Sequence, residues 1–159
     1  MFGGVCSAGP ERLTAAADVG VPQVVSVGAL DMVNFGPADT VPARYADRRL
    51  LAHNPAVTLM RTTAPECALL GRELAERINR STAFAEVHVP RRGFSQISEP
   101  GGPFHDADAD EALIDALQVN LSDRIPLVVH DAALNDPRFA DAISQALFRA
   151  LASQKGDKQ

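Results

Sequence analysis

The sequence predicts an α/β domain of three layers, a mostly parallel sheet with helices on both faces. Three observations predict it. Short apolar runs of strand length alternate with longer segments of helical period, the pattern of crossover units around a parallel sheet. The helical segments carry start signals where such units need them. The 159 residues suffice for one hydrophobic core and are too few for two ordinary ones.

Four runs read as strands, at 23–27, 50–53, 85–89 and 127–130, rich in Val, Leu or Ile and closed by polar residues, Gly or Pro. Four helices accompany them. The first opens at Pro10, whose missing N–H costs nothing at an initial helical position, and runs to about Ala17. The second begins Thr63-Ala64-Pro65-Glu66, a capping box in which Thr63 and Glu66 satisfy each other's amides. Its apolar positions Cys67, Leu70, Leu74 and Ile78 follow spacings of three and four and share one face. The third starts near Asp108, buries Leu113, Ile114 and Leu117, and ends near Asn120. The fourth opens on Asn135-Asp136-Pro137 and turns Phe139, Ile143, Leu147 and Leu151 inward. This order of elements describes a single Rossmann-like domain over residues 1–152, followed by a polar, frayed tail at 153–159. Only Met1 to Ala8 precede the first helix, where a doubly wound domain has a strand, so further elements are expected on the amino-terminal side.

Hydrophobic residues make up 46% and charged residues 22%, the balance of a soluble globular protein. With 5% aromatics and no Trp, the core must be built from Val, Leu, Ile and Ala. No apolar stretch approaches the roughly 20 residues that cross a bilayer, and no secretory signal opens the chain. No membrane partner and a cytoplasmic location are expected. Cys6 and Cys67 lack CxxC spacing and read as reduced thiols. A net charge of -5 with intermixed signs argues against nucleic acid, whose affinity rests on clustered Lys and Arg.

Four polar segments containing Gly, Asn or Asp follow the predicted strands, where open parallel sheets hold ligands. The 28–37 segment offers Asp31 and Asn34. The next carries His53 and Asn54, then Arg61, Thr62 and Thr63 ahead of the capped helix. A helix amino terminus has unpaired amides and partial positive charge, and an arginine with two hydroxyls adds donors for a phosphate or carboxylate. The third joins Arg92 to the Gly101-Gly102 pair, where backbone can approach a ligand, although neither GxGxxG nor a phosphate-loop lysine pattern is met. The fourth is His130-Asp131 with Asn135-Asp136, of which Asp136 reads as a helix cap.

Each segment also has a structural reading: Asx turns in 28–37, a cap at Thr63 with Arg61 paired to an acid, a backbone-bonded His53, and a plain turn at the glycines. On the functional reading, Asp31 and His53 are the acid–base candidates. Asn34, Asn54, Arg61, Thr62, Thr63, Arg92, Gly101 and Gly102 then contact a small anionic ligand. His53, His105, Asp106 and Asp131 show no metal-ligand spacing, so no metal is expected. There is no GxSxG elbow, and neither cysteine sits in a nucleophile setting.

Three stretches carry a family likeness: Val27-Gly28-Ala29-Leu30-Asp31-Met32-Val33-Asn34-Phe35-Gly36, residues 53–63 from His53-Asn54-Pro55 to Arg61-Thr62-Thr63, and Pro100-Gly101-Gly102-Pro103-Phe104. Through them, from about Gly3 to Leu151, the chain resembles the carboxy-terminal part of the Tm-one-like ATP-binding family. The resemblance implies a two-domain protein, both halves α/β, with ATP held by the amino-terminal half. It therefore implies no cofactor in this chain and, as a partner, its own amino-terminal domain; further copies in a homo-oligomer are also expected. It supplies no catalytic residue. Two readings follow: a domain binding a small phosphorylated or carboxylated ligand at the carboxyl edge of the sheet, and a non-catalytic interaction or oligomerisation domain supporting the ATP-binding half.

Overall fold

The structure, a computed structural model, describes residues 1–156. Its order is α1 (Thr14–Asp18), β1 (Gln23–Ser26), β2 (Met32–Phe35), β3 (Leu50–Asn54), β4 (Val57–Arg61), α2 (Ala64–Ile78), β5 (Ala85–Pro90), α3 (Ala107–Asn120), β6 (Leu127–His130) and α4 (Pro137–Gly156). Short 3-10 turns lie at Ala38–Thr40, Ala43–Tyr45 and Gln96–Ser98.

There are two sheets, which corrects the expectation of a single, mostly parallel one. β1, β5 and β6 form a parallel sheet with β5 central, and β2, β4 and β3 form a separate antiparallel sheet with β4 central. The run at 50–53 belongs to the antiparallel sheet, and β2 and β4 are strands where the sequence suggested loops. The reason is local. Only Pro55 and Ala56 separate β3 from β4, far too few for a parallel crossover, which takes a dozen residues or more. Asn54 closes the hairpin by accepting the Ala56 N–H at 2.9 Å. In β2 the alternation sends Val33 and Phe35 inward to Met60, with Phe2, Val41 and Tyr45 against them.

The parallel sheet is covered on both faces. Val25, Val27, Val87 and Val89 pack on α2 and α3 through Cys67, Leu74, Ile78, Leu113, Ile114 and Leu117. A Cβ on Gly71 would stand 2.7 Å from the Leu113 carbonyl oxygen, so the close approach of α2 to α3 requires glycine there. Glu86 and His88 alternate with Val87 and Val89 and face the other way. There α4 brings Phe139 against His130 and Arg149 toward Glu86.

Three local expectations change. Residues 10–13 form turns, with Leu13 at φ 71°, so the first helix is only Thr14–Asp18. In α4 Phe139 is buried as predicted and Ile143 half-buried, but the inward stripe then moves by one position to Ala146 and Ala150, leaving Leu147 and Leu151 exposed. The helix also continues to Gly156, and residues 157–159 of the expected tail lie outside the described residues. Cys6 and Cys67 are both free. Among the described residues no helix is long and apolar enough to cross a membrane.

Candidate functional site

Arg61 ends β4 and is 3% exposed. A buried guanidinium must have its donors met by acceptors or pay the desolvation cost. Here Nη2 donates to Asp110 Oδ1 at 2.6 Å and to the Asp106 carbonyl at 3.1 Å. Nε donates to the Phe104 carbonyl at 2.8 Å, and Nη1 to the Asp31 carbonyl at 3.2 Å and to Thr62 Oγ1 at 3.1 Å. Thr62 Oγ1 in turn donates to the Leu30 carbonyl at 3.0 Å and lies 3.2 Å from Cys67 Sγ. One side chain thus ties the β1–β2 turn, the 104–106 loop and the start of α3 to the end of β4.

Burial pushes the Asp110 carboxyl up to about 6, with Asp31 and Asp106 adding to the push and Arg61 pulling the other way. Burial likewise raises the Cys67 thiol. An acid with a folded value above its unfolded one holds more protons when folded. Its contribution is therefore complete below the unfolded value and is lost as pH rises to the folded one. Wild-type urea midpoints should fall relative to Asp110→Asn as pH rises from about 4 to about 6, then run parallel above that range. A constant gap across that range would show that Asp110 does not titrate there.

Beside this knot is a cavity of about 310 Å³ lined by Arg48, Arg49, Arg61, Thr62, Thr63 and Asp106 among others. Thr63 and Asp106 are the N-caps of α2 and α3, so two helix amino ends open onto it. The predicted capping box is present: Glu66 accepts the Thr63 N–H at 2.8 Å. Glu66 also takes both ends of Arg48, at 2.9 and 2.5 Å. Arg49 is different. Its Nη1 donates to the His105 carbonyl at 3.1 Å, and among the described residues its other guanidinium nitrogens have no partner.

A second cavity, of about 270 Å³, lies between one face of the antiparallel sheet and the 95–97 segment. Asn34, His53 and Ser95 line it with Met32, Leu59 and Ile97. Asp31 is fully buried behind Ser95, whose Oγ donates to Asp31 Oδ2 at 2.5 Å; Asp31 Oδ1 has no partner.

The predicted site residues therefore fall in separate places. Arg61, Thr62 and Thr63 share the first cavity, Asn34 and His53 the second, and Asp31 reaches the second through Ser95. Asn54 holds its own turn. Arg92 makes a two-pronged, exposed ion pair with Asp131, at 2.5 and 2.9 Å. Gly102 closes a turn in which a Cβ would stand 2.3 Å from the Ile97 carbonyl, and Gly101 sits at its open tip with φ +86°. Arg48, Arg49 and Asp110 were not singled out from sequence. The adjacent arginines just ahead of β3 were a readable signal; an acid in the first turn of α3 looks only like a partner for the helix dipole.

Fold and site together define a mixed α/β domain whose loops are organised around one buried arginine. The chain belongs to the uncharacterised protein family UPF0261: the model of that family's C-terminal domain matches residues 1–151. It is 46% identical over 155 residues to a UPF0261 protein of Rhizobium meliloti (strain 1021), covering 96% of this chain and 39% of that protein. It is 42% identical over 152 residues to a UPF0261 protein of Clostridium tetani, covering 95% and 38%. It is also similar to the ToMV resistance protein Tm-1(GCR237) of Solanum lycopersicum, 38% identical over 145 residues, covering 90% and 19%. The family likeness carried by the three stretches is thereby borne out. The chain spans less than two-fifths of the length of these relatives, which carry further sequence beyond the matched region.

Proposed function

We propose that this domain binds a small phosphorylated or carboxylated ligand in the cavity between the amino ends of α2 and α3. The observation that carries the reading is Arg49, an exposed guanidinium with free N–H groups on a cavity that two helix amino ends face. The helix dipoles favour an anion at such a place, and a guanidinium fits a carboxylate or phosphate by two parallel bonds. The volume of about 310 Å³ suits a ligand at the small end of the usual range. Arg49 and Thr63 contact the anion in this reading, while Arg61, Thr62 and the Arg48–Glu66 pair frame it. An acid–base role for His53, or for Asp31 acting through Ser95, belongs to the second cavity. In this reading ATP, which the family resemblance assigns to the other half, is not a ligand of this chain.

A second reading, an interaction domain that meets its own amino-terminal half or another copy, is favoured by a different observation. β3 is an edge strand with almost every residue exposed, and α4 exposes Phe148 at 71% beside Leu147 and Leu151. Unpaired edges and exposed apolar side chains are surfaces that partners cover.

Thermal unfolding in rising inorganic phosphate, pyrophosphate and citrate tests the ligand reading, because a ligand of the folded state raises the midpoint. Wild type should rise, Arg49→Ala should fold and lose the rise, and Arg92→Ala should keep it. A full rise in Arg49→Ala, or loss only in Arg92→Ala, would remove the anion from this cavity.

A further inference from the structure

The face of the parallel sheet under α4 carries polar side chains where a buried face usually carries apolar ones. Glu86 and His88 sit two apart on the central strand, and His88 is 2% exposed. His88 Nε2 lies 3.1 Å from Glu86 Oε1, off the axis of a straight hydrogen bond, and has no other partner. On its other side, His88 Nδ1 is 2.8 Å from His130 Nε2. The ring centroids are 5.0 Å apart with planes within 17°, so the two nitrogens lie near the line between centroids, as an in-plane N–H···N bond requires.

Either ring can donate in the His88–His130 contact, and the charge beside His88 favours one assignment. A neutral imidazole has one N–H and one lone pair. The carboxylate beside His88 Nε2 draws the proton to that nitrogen, leaving Nδ1 as acceptor. His130 must then donate from Nε2, and its Nδ1 is left bare. Among the described residues that nitrogen has no hydrogen-bond partner, and His130 is half-buried. His130 is also the last residue of β6, at the edge where ligands of parallel sheets sit. Phe139 packs edge-on against its ring at 5.1 Å, and Arg149 of α4 stands 3.9 Å from the outer oxygen of Glu86.

We propose that Glu86, His88 and His130 form a proton-accepting site, separate from both cavities, in which His130 Nδ1 takes a proton from a ligand's hydroxyl or acidic C–H. The ligand's O–H or C–H bond breaks, its electron pair stays on the ligand, and the proton rests on His130. The imidazolium is balanced across His88 by Glu86, which keeps its charge and does not take the proton. His88 and Glu86 are positioning residues: they set which nitrogen of His130 is bare. Burial lowers the proton affinity of both imidazoles and Glu86 works against it at both, while His130 and Arg149 lower that of His88 further.

Long-range proton–nitrogen NMR of the imidazole rings tests this on the unmodified protein. At about pH 8, where histidine is neutral, both His88 and His130 should carry the proton on Nε2. On acidification His130 should protonate first, at Nδ1. Glu86→Gln, which keeps the shape and removes the charge, should lower the His130 midpoint by roughly half a unit or more. A proton on His130 Nδ1 in the wild type at about pH 8, or an unmoved midpoint in a folded Glu86→Gln, would overturn the proposal. If Glu86→Gln does not fold, the wild-type tautomers decide alone.

Discussion

Replacing Arg61 by Met lowers the unfolding free energy by about 3–5 kcal/mol, the range for breaking a buried ion pair from one side. Met restores much of the apolar volume but none of the donors. The Asp31, Phe104 and Asp106 carbonyls and the Asp110 carboxylate all lose their guanidinium contact at once. The loss should also depend on pH. Asp110 already stands at about 6 with Arg61 beside it. Without the cation its folded value rises further, widening the window in which stability falls as pH rises. The Met variant is thus closer to wild type at about pH 5 than at about pH 8, because the orphaned acid can take a proton. Urea denaturation at the two pH values measures both effects. An equal deficit at both, or one under about 1 kcal/mol, would mean that the loops are not closed on Arg61.

This arginine also shows where reading the sequence stops. The strands at 23–27 and 127–130 were legible as short, mostly apolar runs, as strands of a parallel sheet covered on both faces are, and the one at 85–89 through Ala85, Val87 and Val89 at alternate positions. α2 and α3 were legible from their caps. The antiparallel sheet was not. β3 is almost wholly exposed, and β2 and β4 carry Asn34, Thr58 and Arg61 among their apolar residues. Its clearest signal was the two-residue Pro55–Ala56 link, which only an antiparallel neighbour satisfies. The chemical type of each site residue was equally visible, but not its partners. Arg61 precedes a capped helix and reads equally as a ligand donor or as the partner of a surface acid; that the acid is the buried Asp110, and that the backbone at Phe104 and Asp106 turns its carbonyls toward the arginine, are tertiary facts with no local pattern. Glu86 and His88 were hidden differently. Two polar residues at i and i+2 in a central strand are a signal of a polar seam, and the Val residues between them masked it.

Phe94→Ala is the second large effect, about 3–5 kcal/mol for emptying a buried aromatic site. The residue lies in the loop after β5, where sequence gives no reason to expect core, yet its ring is fully buried in the main cluster. Its carbonyl accepts the Ala29 N–H at 2.8 Å, which joins the loops following β1 and β5. Just before it Gly93 adopts φ +130°, where a Cβ would stand 2.9 Å from the Glu99 nitrogen. The chain can therefore turn back over Glu99 only with glycine at 93, and the ring of Phe94 pegs the turn down. Ser95 comes next, and its place beside Asp31 depends on that peg. Hydrogen exchange should therefore rise at the Ala29 amide and the 95–98 turn in Phe94→Ala, well above the rise in α2 and α3. Uniform acceleration would mean that the ring supports the whole core and not the loop in particular. Ser95→Ala separates the remaining possibility: it removes the hydrogen bond to Asp31 and the Ser95 side chain's capping contacts with Ser98, leaves the Phe94 ring in place, and should cost about 1–3 kcal/mol. A cost equal to that of Phe94→Ala would make the buried carboxylate, and not the aromatic ring, the element that organises the 93–98 loop.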